Sequence, residues 1–107
     1  MATQNANTDE GGNVPQPVIE DLLADETRRQ ALEILRTREG PVVVEDLAAA
    51  VVGTRKDCPT SAVSATDREA VVEELFTEHI PKLTATGVVA YDSLLGAVEL
   101  RRRDLAP

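Results

Sequence analysis

The sequence predicts a mainly α fold closed by a small β-hairpin, and three observations carry that expectation. Apolar residues recur at three- and four-residue steps through Ala31, Leu32, Ile34 and Leu35 and again from Val72 to Leu83, the spacing that lines one face of a helix. The β-branched triplet Val42-Val43-Val44 is too short to stand as a free strand and must pair with something later in the chain. Near the end, Val88-Val89-Ala90-Tyr91 and Ala97-Val98-Glu99-Leu100 flank the loop Asp92-Ser93-Leu94-Leu95-Gly96, in which Gly96 can take the positive φ a hairpin turn needs.

In chain order, residues 1–17 hold Asn, Thr, Gln, Gly and Pro with almost nothing large and apolar, too little to offset the entropy of ordering. They read as a disordered tail. Residues 18–23 form a short amphipathic lead-in, and Asp25 and Glu26 favour the start of the first helix by capping and by charge against its dipole. Its outer face is expected to carry Arg28, Arg29, Glu33 and Arg36, and Gly40-Pro41 stops it. A second helix follows from Glu45 to Val52, ending near Gly53, and residues 54–65, with Arg55, Lys56 and Cys58, read as a connecting loop.

Thr66-Asp67-Arg68-Glu69 matches a capping box, so a long third helix should start there and run over 66–86. Its stripe is Val72, Leu75, Phe76, His79, Ile80 and Leu83. Pro81 sits inside it and lacks the amide for an i−4 bond, which predicts a bend near Thr77 to Pro81 or two helices meeting there. His79 on the stripe reads as a core or interface histidine with a hydrogen-bonded ring. The domain therefore spans 18–100, and 101–107 form a basic tail, Arg101-Arg102-Arg103-Asp104-Leu105-Ala106-Pro107.

Composition limits the function. The chain has 107 residues, one Cys, one His, no Trp, one Tyr and one Phe. A disulfide scaffold and a zinc finger are excluded, and no apolar run approaches the roughly 18 residues of a membrane span. The N-terminus lacks a secretion pattern, so a cytoplasmic location is expected. The net charge is −8, and nine of the eleven basic residues are Arg. An acidic, Lys-poor surface suits solubility in concentrated salt, where self-repulsion is screened, and predicts a halophilic source. No phosphate-binding Gly loop, nucleophile elbow or paired-acid pattern is present, so neither an enzyme nor a cofactor or metal is expected. Cys58 stands without a second Cys, which leaves a thiol sensor or an intersubunit metal site without support.

Three helices, a strand between the first and second, and a closing hairpin make the winged helix-turn-helix order. Particular residues also resemble a known group: Leu22-Leu23-Ala24-Asp25-Glu26-Thr27-Arg28-Arg29, Ile34-Leu35, Val44-Glu45-Asp46-Leu47-Ala48, and His79-Ile80-Pro81-Lys82-Leu83-Thr84-Ala85-Thr86-Gly87-Val88-Val89-Ala90-Tyr91-Asp92. Over about residues 19–100 the chain resembles short haloarchaeal winged-helix proteins, ArsR-like in style and mostly of unassigned function. The resemblance implies the fold, and function only by analogy. Many of those sequences carry Ser or Thr where Val44 stands; Val44 cannot cap, so the second helix is expected to start frayed or capped by water.

A winged helix on DNA lays its third helix in the major groove while the wing and loops hold phosphates. The expectation is a homodimeric transcriptional regulator that binds duplex DNA through residues 66–80 and the wing 88–100. Its candidate contacts are Arg55, Lys56, Arg68, Lys82, Arg101, Arg102 and Arg103, and dimerisation would use residues 18–23, the first helix and the segment after the wing. Against this, residues 66–86 carry Arg68 and Lys82 against Asp67, Glu69, Glu73, Glu74 and Glu78, a net −3, a poor phosphate surface. The alternative is a protein-interaction module whose acidic third helix docks a basic partner. Arg28 and Arg29 are expected to be surface ion-pair partners.

Overall fold

A computed structural model of the chain describes residues 14–102. It is mainly helical with a small three-stranded antiparallel sheet. The elements are α1 (Gln16–Ala24), α2 (Glu26–Arg36), β1 (Val42–Val43), α3 (Val44–Lys56), a 3-10 turn (Thr60–Ala62), α4 (Ala65–Glu74), a π turn (Leu75–His79), α5 (Ile80–Ala85), β2 (Val89–Asp92) and β3 (Ala97–Leu100). Residues 1–13 of the expected tail and 103–107 of the basic end, Arg103 included, lie outside the described residues.

The lead-in is a helix, and it begins inside the segment expected to be a tail. Pro15 is its N-cap and Pro17 lies in its first turn, where a missing amide hydrogen costs nothing because the first amides of a helix have no internal acceptor. The carbonyl of Pro15 accepts from Val18 and Ile19 instead. The chain then breaks at Asp25, whose extended backbone and side chain cap α2, Oδ1 accepting the Arg28 amide at 3.0 Å. Leu22 is buried, and Val18 and Leu23 pack partly against the core, so much of the apolar face once expected to dimerise is used within one chain.

β1 finds its partner as expected. The sheet order is β1-β3-β2, with Val42 opposite Val98 and Val43 opposite Ala97, and Val89 opposite Leu100. The hairpin turns at Gly96, φ +64. At the start of α3 the Val44 amide donates to the Gly96 carbonyl at 2.9 Å, while no side chain caps the amides that follow. Val44 is the first helical residue, fully inside the core, and the N-cap position falls to Val43, which offers no side-chain acceptor.

α3 runs past Gly53 to Lys56, so Arg55 and Lys56 lie on its last turn and not in a loop. Gly53 does not stop the helix; it admits the chain that leaves it. A Cβ at Gly53 would sit 2.7 Å from the Cys58 carbonyl oxygen, closer than packing tolerates. The Cys58 amide closes on the Gly53 carbonyl at 3.0 Å, and Asp57 takes the left-handed cap at φ +55.

The third helix starts one residue earlier than expected and its cap is Ser64, whose hydroxyl accepts the Asp67 amide at 3.1 Å. Thr66 and Glu69 make no capping box because Thr66 already lies inside the helix. The break expected before Pro81 takes the form of the π turn. It inserts one extra residue, so the buried positions run Val71, Leu75, His79, Ile80 and Leu83, while Phe76 is turned outward. The core is aliphatic, built on Leu32, Leu47, Leu75, Val51, Val88 and Val98, each contributing about 1.5–3 kcal/mol by leaving water.

Candidate functional site

The structure scatters the nominated basic residues. Arg55 lies against α2, its Nε donating to Gln30 Oε1 at 3.0 Å and its Nη2 to the Thr27 hydroxyl. Lys56 pairs with Asp67 at 3.1 Å, which holds the Asp67 carboxyl below its ordinary range. Lys82 pairs with Asp21 at 3.4 Å on α1. Arg101 and Arg102 follow β3, their amides both donating to the Val88 carbonyl. These residues do not form one basic face.

Arg68 is the exception. It lines an open groove of about 500 Å³ with Arg38, Thr60, Ser61, Glu45, Asp46 and Ala49. The groove lies beside the first turns of α3 and α4. Ser64 starts α4 there, and the 3-10 turn is pinned by the Pro59 and Thr60 carbonyls, which accept from Ala62 and Val63. Two guanidiniums and two hydroxyls thus meet two carboxylates in one place. Arg38 was not nominated from the sequence, since it sits thirty positions from Arg68 with no motif linking them.

Further along α4 the outward face is acidic and open: Glu69, Ala70 and Glu73 are exposed, followed by Phe76, Thr77 and Glu78 on the π turn. The hairpin beside it carries Asp92 and Glu99 and no Lys or Arg from Val88 to Leu100. Its tip is apolar, with Leu94 at 94% exposure and Leu95 at 59%.

Beneath that helix lies a buried polar cluster. Arg28 is 6% exposed, not on the outer face as expected. Its Nε donates to the Leu22 carbonyl and Nη2 to the Asp21 carbonyl, both at 2.9 Å, and Nη1 lies 3.3 Å from His79 Nδ1. The end of α1 supplies these carbonyls because its last turn has no helical donors for them. Guanidinium only donates, so His79 Nδ1 accepts and the ring proton stands on Nε2. That proton points at Glu74 Oε2, 2.8 Å away, with Asp25 Oδ1 at 3.7 Å. His79 is accordingly the hydrogen-bonded core histidine its position on the stripe predicts, 2% exposed.

Electrostatics follow from these contacts. The His79 bond holds the Glu74 carboxyl below its ordinary range against the opposing pull of burial, with help from Thr27. For Asp25, burial acts to raise the pKa, and the Arg28 amide it caps, the nearby His79 ring and the Arg28 guanidinium bring it net below its ordinary value. The ligand-type atoms of Asp25, Glu74 and His79 lie within 4.8 Å of one another. A metal-ligating histidine donates its other ring N–H, whereas here that nitrogen faces the donor-only Arg28 guanidinium, an arrangement that favours the Glu74 hydrogen bond over a metal ion.

Among the described residues no helix is long and apolar enough to cross a membrane. No curated protein and no solved structure matches the chain. Residues 20–99 match the family described as a domain of unknown function (DUF7344), and the chain belongs to that family.

Proposed function

We propose that the chain is a winged helix-turn-helix domain that binds duplex DNA as a transcriptional regulator of a halophilic archaeon, acting as a homodimer. The observation that supports this reading best is the convergence of Arg38 and Arg68 with the Thr60 and Ser61 hydroxyls at the start of α4, the helix whose outward face is left uncovered. Planar guanidiniums and hydroxyls at that end suit phosphate oxygens. The acidity of the rest of the face matters less in molar salt, where charge repulsion is screened within about 3 Å and binding depends on direct bonds and shape.

The test is anisotropy of a labelled duplex, selected from random sequence, in molar KCl. Saturable binding lost in Arg38→Ala/Arg68→Ala supports the reading. Two phosphate contacts imply a shallow dependence of log K on log salt, with a slope near about −2. Equal binding by an Arg101→Ala/Arg102→Ala/Arg103→Ala variant assigns the contacts to the groove and not to the basic end.

A second reading is favoured by the exposed Glu69, Glu73 and Glu78: the same face docks a basic protein surface and no DNA. Absence of saturable duplex binding at every salt concentration supports it.

A further inference from the structure

We propose that Phe76, Tyr91, Leu94 and Leu95 form a docking patch for a protein segment that presents apolar side chains next to Lys or Arg. The proposal rests on the second reading above and names the chemistry of its partner.

The placement of the aromatics comes first. The chain has one Phe, one Tyr and no Trp, and its core is aliphatic. Both aromatics instead lie at the surface, 41% and 37% exposed, with ring centroids 5.8 Å apart and planes at 89°. A small domain gains most from burying such rings, so an edge-to-face pair left half in water marks a surface that meets something. The π turn is what presents Phe76: its extra residue turns that side chain out of the buried stripe while Leu75 and His79 stay inside.

The hairpin tip adds two leucines in a fixed loop. Asp92 Oδ1 accepts the Leu94 amide at 2.9 Å and the Leu95 amide at 3.3 Å, and the Gly96 amide closes on the Asp92 carbonyl at 2.8 Å. A loop held by its own bonds loses little freedom on binding.

Charge selects the occupant. From Glu69 to Leu100 the only Lys or Arg is Lys82, already paired with Asp21, while Glu69, Glu73, Glu78, Asp92 and Glu99 are exposed. Such a rim offers duplex phosphates no unpaired cationic group to bond. In an isologous contact a second copy would present the same patch, which supplies no free cation to the acidic rim. A segment carrying both apolar and cationic groups satisfies the apolar centre and the acidic rim together.

Tyr91 is the only tyrosine and there is no tryptophan, so its emission reports occupancy directly. The probe is an amphipathic Leu/Lys peptide free of aromatics, titrated into the full chain in molar KCl beside a Ser/Lys peptide of equal charge. The expected result is saturable change in Tyr91 emission with the Leu/Lys peptide only, weakened at least about tenfold by Leu94→Ser/Leu95→Ser and unchanged by Glu33→Gln on α2. Equal binding of both peptides keeps the acidic-face reading and overturns the apolar patch. Binding of neither overturns both. Concentration-dependent dimerisation in light scattering that Leu94→Ser/Leu95→Ser abolishes assigns the patch to a second copy and also overturns the proposal.

Discussion

Glu74 and His79 are five residues apart and joined by a 2.8 Å hydrogen bond. On an α-helix, side chains three or four apart are neighbours and those five apart are not. The contact exists because the backbone between them is a π turn, with the Ile80 amide donating to the Leu75 carbonyl. The same turn places His79 Nδ1 before Arg28 and so ties the junction of α4 and α5 to the junction of α1 and α2.

Removing the ring should therefore loosen three helices together. His79→Leu keeps the bulk but strips Arg28 of one of its three acceptors and Glu74 of one of its donors, and is expected to cost about 1–3 kcal/mol. Thr77→Ala, two residues away on an exposed site, should stay within about 0.5 kcal/mol. Urea unfolding in molar KCl compares the two, and equal midpoints would remove the cluster from any account of stability.

Acid should unfold the protein through the same cluster. Asp25 and Glu74 both have folded pKa values below their ordinary 3.8 and 4.5. A carboxylate lowered in the folded state contributes its stability fully above the unfolded value and loses it as pH falls through the folded one. Thermal midpoints are thus expected to hold above about pH 5 and to fall below about pH 4. Glu74→Gln should flatten part of that fall, and an unchanged acid limb would contradict the role given to its bond with His79.

Much of this architecture is legible in the residues themselves. The β-branched run at Val42-Val43, the Gly96 loop and the apolar spacing of α2 each have a local physical cause, and the sheet register follows from which faces are buried. Arg28 is not legible that way. A helix-surface pattern assigns it to solvent, and only the free carbonyls at the end of α1, a helix hidden behind two prolines, give it buried acceptors. The groove pairing Arg38 with Arg68 is equally a product of tertiary placement. The one signal for the π turn was Pro81, which demands some irregularity upstream without saying which.

Gly53 offers a test of close packing without any change of charge. Gly53→Ala improves helix propensity by roughly 1 kcal/mol, yet its Cβ would meet the Cys58 carbonyl at 2.7 Å. Backbone cannot swing aside as a side chain does, so overpacking of about 1–3 kcal/mol should win. A lowered melting temperature is the expected outcome, and a raised one would mean that the chain after α3 relaxes freely.

The start of α3 separates two positions that look alike in the sequence. Val44 is 2% exposed and its amide is already held by Gly96, so Val44→Thr places a hydroxyl in the core and caps nothing. It should destabilise by about 1–3 kcal/mol. Val43 is 43% exposed, has φ −62 and ψ 139, and occupies the N-cap without a side-chain acceptor. Val43→Ser supplies that acceptor to the next free amides of α3 and should stabilise by up to about 1 kcal/mol, offset in part by the lower strand propensity of Ser opposite Ala97. Chemical denaturation of the two variants reads opposite signs if the cap lies at Val43. The reverse order would place it at Val44.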